Sequence, residues 1–272
     1  MTAPLPKIPL VLFGFIVLAC LLGPAAVPFG ANDMNLLNTY APPSLSGGHI
    51  LGTDALGRDV LSRLLSAGRI SLAVGLAATL ASSLIGVTYG AVAGYMGGWA
   101  DQAMMRFVDV VYALPFLFFV IVLMVIFGRN MWLIFLAIAL CEWLTMARIV
   151  RGQTVSLKQM EFIQAASALG LPPGRILLRH ILPNLRSPVI VFATLSIPQA
   201  IMIESFLSFL GLGIQEPLTS WGSMIKSGVT DMEFAPWLLI APALALAITL
   251  VCLTVLGDAV RDRLDKRASA AL

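Results

Sequence analysis

Apolar residues run along this chain in long unbroken blocks, not in the short periodic stripes of a water-soluble fold. Six blocks reach the length of about 18 residues or more that marks a membrane-crossing helix. They are roughly Ile8–Phe29, Leu72–Gly94, Val110–Phe127, Met131–Val150, Pro188–Leu210 and Phe234–Leu256. Helices are the expected form, because backbone N–H and C=O groups in hydrocarbon must be satisfied within the segment. The pattern predicts an all-α membrane protein of six transmembrane helices. It divides into an N-terminal anchor (1–30), an outer loop (31–71), a core membrane domain (72–257) and a short tail (258–272).

Two stretches interrupt this pattern. Within the outer loop, Leu56, Val60, Leu61, Leu64 and Leu65 fall on one half of a helix plotted at about 100° per residue. Arg58, Asp59, Ser62, Arg63, Ser66 and Arg69 fall on the other. This predicts an amphipathic helix lying along the outer membrane surface or against a partner, with Asp54, Arg58, Asp59 and Arg63 as candidate contacts. A solvated flank on a connecting helix fits the same pattern.

The second interruption is "SLKQMEFIQAASALGLPPGRILLRHILPN", Ser156–Asn184. Ser156 and Gln159 have capping-box spacing for a helix start. Gly170 and the prolines Pro172 and Pro173 stand in the order expected at a helix end. A second short helix then runs to Pro183. Ala165, Ala166 and Gly170 form a face without side-chain bulk. Lys158, Glu161, Arg175 and Arg179 surround it, and Phe162, Leu169, Ile176 and Leu177 are expected to hold the two helices together. A small surface ringed by charge describes a docking socket.

Other local signals refine the picture. Gly86, Gly90 and Gly94 recur every four residues in the second block, a spacing that lets another helix approach closely; packing within the chain or a subunit seam would each use it. Only "GRN" (128–130) joins the third and fourth blocks, which predicts a tight hairpin. The loop after the fifth block, with Trp221 and Trp237, is long enough to be a folded cap or contact surface.

Composition agrees with a membrane class: 59% of the 272 residues are hydrophobic and 11% charged, against about 25% charged in soluble domains. With both termini placed in the cytoplasm, twelve of the 17 Lys and Arg residues fall on that side, among them Lys7, Arg106, Arg148, Arg151, Arg186, Arg261, Arg263, Lys266 and Arg267. Arg58, Arg63, Arg69, Arg129 and Lys226 remain outside. The expected orientation is therefore N-in, C-in. This bias accounts for the net charge of +3 without nucleic acid. "VLAC" (17–20) has the look of a lipoprotein cleavage box, but Cys20 sits inside the apolar run, so an uncleaved anchor is expected. Cys20, Cys141 and Cys252 all lie inside apolar blocks with no metal spacing, as small packing residues do.

Catalytic patterns are absent. No Walker-type phosphate cradle, H-E-x-x-H or G-x-S-x-G occurs, and His49 and His180 fall on opposite sides of the membrane. The chain is not expected to be an enzyme. Glu142 and Glu204 lie in or near apolar blocks, where an ionisable group is costly. A hydrogen-bonded structural role is preferred for both over transport chemistry.

"Q-A-A-x-x-x-G" (Gln164–Gly170), with Leu182-Pro183 at the following distance, resembles the EAA loop of bacterial ABC importer permeases. Gln164 replaces the usual Glu, and His180 an aliphatic residue, as in the peptide and nickel branch. "LGTDALGRDVLSRLLSAGRISL" (51–72), "GYMGGWAD" (94–101), "MRFVDVVYALP" (105–115), "ESFLSFLGLGIQEP" (204–217), "SWG" (220–222) and "LGDAVRDRLD" (256–265) resemble the C-type permease subunits of dipeptide, oligopeptide and nickel transporters.

The resemblance implies a type I importer permease fold in a bacterial plasma (inner) membrane. It makes 156–184 the coupling loop to an ATPase, through Glu161, Gln164, Ala165, Ala166, Gly170, Arg175, His180, Leu182 and Pro183. It further implies a B-type permease partner, two ATP-binding subunits or one fused ATPase, an extracytoplasmic solute-binding protein and surrounding lipid. ATP and Mg would be held by the partner subunits, with no cofactor, metal or nucleic acid on this chain. The solute class implied is di- or oligopeptides, with nickel chelates and glutathione-like solutes as the alternative. A secondary transporter without an ATPase is disfavoured, because no internal repeat or midplane ion ligand is apparent.

Overall fold

The computed structural model describes residues 6–45, 48–128 and 130–269, with side chains up to 264. Arg129 and the side chains of Lys266 and Arg267, counted in the charge bias, lie outside the described residues. The major helices are α1 (Lys7–Ala26), α2 (Val60–Met96), α3 (Gly98–Tyr112), α4 (Phe116–Phe127), α5 (Met131–Lys158), α6 (Glu161–Ala168), α7 (Pro173–Ile176), α8 (Leu182–Phe209), α9 (Trp221–Thr230) and α10 (Trp237–Ser269). Among the described residues the only bridge pairing is an isolated one between Thr53 and Asp59.

Five helices are each long and apolar enough to cross a membrane: α1, α2, α5, the α7–α8 unit and α10. The sixth expected span is not straight. α3 and α4 meet at a bend of 79°. Pro115 supplies no N–H and disfavours helical backbone at Leu114, so the helix breaks there. α4 alone has 12 residues, about 18 Å of helix, and cannot cross a hydrocarbon core of about 30 Å.

The spans alternate between two ends. One end carries α6 and the start of α1, and is called here the hairpin end. The other carries α9 and the 27–59 loop, and is called the cap end. α2 is 37 residues long and reaches both. The expected separate amphipathic helix is therefore its first turns, continuous with the span. Both of its sides are buried at the start: Arg58, Asp59, Ser62 and Arg63 of the polar side are buried, as is Val60 of the apolar side, while Leu61, Leu64 and Leu65 are half-buried and Arg69 is exposed.

α2 and α5 form the central pair. Gly86, Gly90 and Gly94 face α5, and a Cβ added at Gly90 would lie 2.3 Å from the Ala147 carbonyl oxygen. The glycine series is thus a seam within the chain, not between subunits. Around this pair, Val74, Ala78, Val120, Ile134, Ile138 and Leu207 form a core towards the cap end. Ala91, Met146, Val150, Ile163, Ile176 and Ile181 form another at the hairpin end. α3 is fastened to α5 by charge. Arg151 grips the buried Asp101 with two bonds of 2.6 and 3.0 Å, and Arg148 reaches Asp109 at 2.9 Å while lying 4.3 Å over the Tyr112 ring.

The anchor α1 is held by a specific polar bond. Pro24 lies inside α1 and lacks the N–H that would bond the Cys20 carbonyl one turn back. Arg69 Nε of α2 donates to that carbonyl at 2.8 Å, and its Nη2 bonds the Leu21 carbonyl. A charged residue expected to face water instead completes a broken helix. Cys20 and Cys252 are buried free thiols, as packing residues should be.

Overpacking a tight contact costs about 1–3 kcal/mol. Gly90→Leu should therefore lower the thermal unfolding midpoint of the purified chain in detergent, followed by tryptophan fluorescence. Gly14→Leu should leave it unchanged, because nothing lies within 4 Å of a Cβ built at Gly14.

Candidate functional site

The hairpin between α5 and α8 differs from its sequence reading at its start. Ser156 is not a cap: it lies in the last turns of α5, and its hydroxyl bonds back to the Gly152 carbonyl at 3.3 Å. α5 ends at Lys158, whose Nζ donates to the Tyr95 carbonyl at 2.7 Å and so ties it to the end of α2. α6 begins at Glu161, behind an N-cap Met160 that offers no side-chain bond. Glu161 sits in the first turn, where the positive end of the helix dipole favours an acid. Gln164, exposed on α6, donates from Nε2 to the Gln159 carbonyl at 3.0 Å and closes the chain reversal.

α6 ends as the sequence predicts. Gly170 has φ +75°, the left-handed region where side chains are strained. Leu171 N–H bonds the Ala166 carbonyl, and Gly170 N–H the Ser167 carbonyl. This pair of bonds is a Schellman motif.

The second helix does not stop at Pro183. From Pro173 to Phe209 the chain forms 37 helical residues. The wider turn Leu177–Ile181 includes a bond from Leu182 N–H to the Leu177 carbonyl, five residues back. An ideal α-turn would press the Pro183 ring onto the Arg179 carbonyl, and the π-turn just before it relieves that crowding. Asn184 Nδ2 then bonds the His180 carbonyl at 2.6 Å. The hairpin is thus a short helix docked on the beginning of a membrane span.

Its anchoring residues also differ from expectation. Ile163, Ile176, Ile181 and Leu185 are buried, and Leu177 packs against them in part. Phe162 and Leu169, expected to join the helices, are 44% and 81% exposed. Ala166, expected on the open small face, is turned into this core, whereas Ala165 and Gly170 are exposed. A fully buried Ile contributes about 1.5–3 kcal/mol. Exposed Glu161, Arg175 and Arg179 form no ion pair among the described residues, so apolar packing fixes the hairpin and the charges stay free. The outward surface is Phe162, Ala165, Leu169 and Gly170, with Leu178 nearby, 66% exposed.

At the cap end, three of the four residues singled out in the sequence, Asp54, Arg58 and Arg63, come together with Glu216, and the fourth, Asp59, pairs with His49. Arg58 bonds Asp54 and Glu216, each at 2.7 Å. Arg63 lies 3.7 Å from Asp54 and 3.6 Å from Glu216. Two cations and two carboxylates thus make one network, joining the 27–59 loop to the loop after α8. Burial pulls the Arg58 guanidinium down, but the bonds from Glu216 and Asp54 outweigh it and raise it above the ordinary arginine range. Asp59 caps α2 through Ser62 N–H at 2.8 Å and meets His49 Nδ1 at 3.0 Å. His49 in turn stacks on Phe29. Glu216 lay in a quoted motif, but nothing local marks it as the partner of a residue 158 positions away.

The two intramembrane carboxylates part ways. Glu204 is fully buried and accepts hydroxyl bonds from Ser71 (3.1 Å), Ser205 (3.4 Å) and Ser208 (2.7 Å). The structural role expected for Glu204 is what the fold shows. Glu142, half-buried on α5, accepts no hydrogen bond among the described residues, against expectation. Those residues also contain no cluster of three or more His, Cys, Asp or Glu able to hold a metal.

Residues 86–270 match the family described as "Binding-protein-dependent transport system inner membrane component". The chain belongs to this family. The oligopeptide transport system permease protein OppC of Haemophilus influenzae is 48% identical over 258 residues, 95% of this chain and 83% of that protein. The dipeptide transport system permease protein DppC of Bacillus subtilis is 44% identical over 93% of this chain and 79% of its own. The glutathione transport system permease protein GsiD of Pectobacterium atrosepticum is 42% identical over 82% and 74%. Family and spans together make the chain a multi-pass protein of the bacterial inner membrane.

Removing one partner of a buried ion pair is costly, and an exposed pair matters little. Arg58→Ala should cost about 2–3 kcal/mol after discounting for Glu216, which is 61% exposed. Glu216→Gln should cost no more than about 1 kcal/mol. Thermal unfolding of both variants checks this, and equal losses would show that the exposed half carries the network.

Proposed function

We propose that this chain is one half of the pore of a bacterial ABC importer for di- or oligopeptides. Relatives named as oligopeptide and dipeptide permeases, 48% and 44% identical over more than nine-tenths of the chain, carry this reading. Glutathione-like solutes are the second reading, favoured by the 42% identical relative named for glutathione transport. The chain performs no chemistry on its solute. A B-type permease completes the pore, a solute-binding protein delivers from outside, and ATP with Mg is held by separate or fused ATPase subunits.

The orientation is N-in, C-in, supported by the Lys and Arg bias, and it puts α6 in the cytoplasm. The ATPase docks on the outward face of α6, at Phe162, Ala165, Leu169 and Gly170. Closure of the ATPase dimer on ATP displaces α6. The buried isoleucines pass that displacement to the first turns of the Pro173–Phe209 helix, and the pore changes the side on which it is open.

Leu169 and Leu37 are 81% and 94% exposed at opposite ends. In intact cells a membrane-impermeant maleimide should label Leu37→Cys and spare Leu169→Cys until the cells are permeabilised. The reverse result would invert the orientation. In the coupling test, Ala165→Trp should reduce tripeptide uptake into proteoliposomes at least tenfold at unchanged membrane level. Ala166→Trp, aimed into the core, should reduce the amount of folded chain instead. Uptake by Ala165→Trp equal to the unmodified chain removes α6 as the docking element.

A further inference from the structure

Glu204 does more than satisfy itself. Each of its two strongest hydroxyl donors is also an acceptor, and in both cases the group it accepts from is a backbone N–H of the cap. Ser71 Oγ donates to Glu204 and accepts from Trp221 N–H at 3.2 Å. Ser208 Oγ donates to the other carboxylate oxygen and accepts from Ile214 N–H at 3.2 Å. Trp221 is the first residue of α9, one of the four positions whose N–H has no partner inside its own helix. Ile214 lies in the loop that leaves α8.

The proton directions follow from the groups. Two backbone amides can only donate, so Ser71 and Ser208 must each turn a lone pair to the cap and their single hydroxyl proton to the span. Only an acceptor can receive a proton from both. An ionised carboxylate is acceptor-only at both oxygens. A glutamine in its place would present one oxygen and one NH2 group, and the NH2 side would compete with a cap amide for the serine lone pairs. The site therefore selects Glu over its isostere by hydrogen-bond polarity.

Packing around the node is close enough to keep water out. A Cβ at Gly222 would fall 2.2 Å from the Ser205 carbonyl oxygen, so α9 sits directly on the α8 backbone. Trp221 is fully buried, and its Nε1 donates to the Leu64 carbonyl of α2 at 3.1 Å. The cap thus meets α2 and α8 through a small set of dry polar bonds that converge on one carboxylate.

We infer that Glu204 is a positioning residue for transport: through the Ser71 and Ser208 relays it locks the outer cap (210–236) to α2 and α8. An arriving binding protein is then felt by the membrane spans. The inference rests on the importer reading for its functional half. Its structural half concerns this chain alone.

Two measurements test it. In detergent micelles, amide hydrogen exchange should accelerate at least tenfold at Trp221 in Ser71→Ala, at Ile214 in Ser208→Ala, and at both in Glu204→Ala. Glu204→Gln should expose one of the two. In the complex reconstituted with partner permease, ATPase and binding protein, basal ATP hydrolysis should stay within twofold of the unmodified complex. Its stimulation by tripeptide-loaded binding protein should fall at least fivefold in Glu204→Ala and partly in Glu204→Gln. Should Glu204→Ala fail to assemble, the two serine variants carry the same test. Unchanged exchange at both amides, unchanged stimulation, or equal loss of basal and stimulated rates would overturn the inference. Absence of stimulation in the unmodified complex would count against the importer reading instead.

Discussion

The approach of α2 to α5 at backbone distance is the contact on which the remaining structure hangs. In a bilayer the hydrophobic effect does not drive helices together, so their association depends on how closely backbones can pack. Gly86, Gly90 and Gly94 remove every side chain that would hold the helices apart. Both members of the pair are longer than the membrane needs, and each carries a further folded element on its overhang. The first turns of α2 hold the cap through Arg63 and Ser71, and the last turn of α5 leads into α6. One glycine seam therefore sets the relative position of two devices at opposite ends of the molecule.

Prolines are the second organising constraint, and their effects depend on what lies beside them. Pro24 breaks a bond in α1, and Arg69 replaces it. At Pro115 the carbonyl one turn back, that of Val111, is taken by Leu114 N–H in a tighter turn, and the chain breaks fully with a 79° bend. Pro183 is accommodated by a π-turn, which keeps the helix continuous from the hairpin to the cap. The same residue type thus gives a tethered anchor, an elbow and a continuous rod. A proline in a membrane helix has no fixed meaning; the donors and space around its orphaned carbonyl decide.

The spans were legible because the signal for them is simple: enough consecutive apolar residues to cross hydrocarbon. The hairpin was legible in part, since Gly170 and the prolines after it are local stop signals. What could not be read was which face each element buries. Ala165 and Ala166 are identical to a periodicity argument, yet one faces outwards and the other into the core. Over Leu56–Arg69 the pattern pointed to an apolar face against membrane or partner, and Arg58, Asp59, Ser62 and Arg63 of the polar face proved buried as well as Val60. Two of its partners, Glu216 and the carbonyls of α1, are dozens of positions or more away in sequence, and neither they nor His49, ten positions away, carry a mark of the pairing. Burial of polar groups is a tertiary property, set by whether partners arrive, and one chain read locally contains no statement about arrival.

The two intramembrane glutamates make this argument concrete. Glu204 and Glu142 looked alike in sequence, each a carboxylate in an apolar block. Glu204 has become a structural pin because serines from α2 and α8 converge on it. Glu142, half-buried on α5, found no such company among the described residues. Desolvation cost is the same kind of penalty for both. A satisfied carboxylate offsets it with fixed hydrogen bonds and so resists motion. An unsatisfied one on a half-buried surface keeps its acceptor capacity for something beyond this chain. Physical state, not residue type, separates the rigid part of such a permease from the part left open to a partner or a solute.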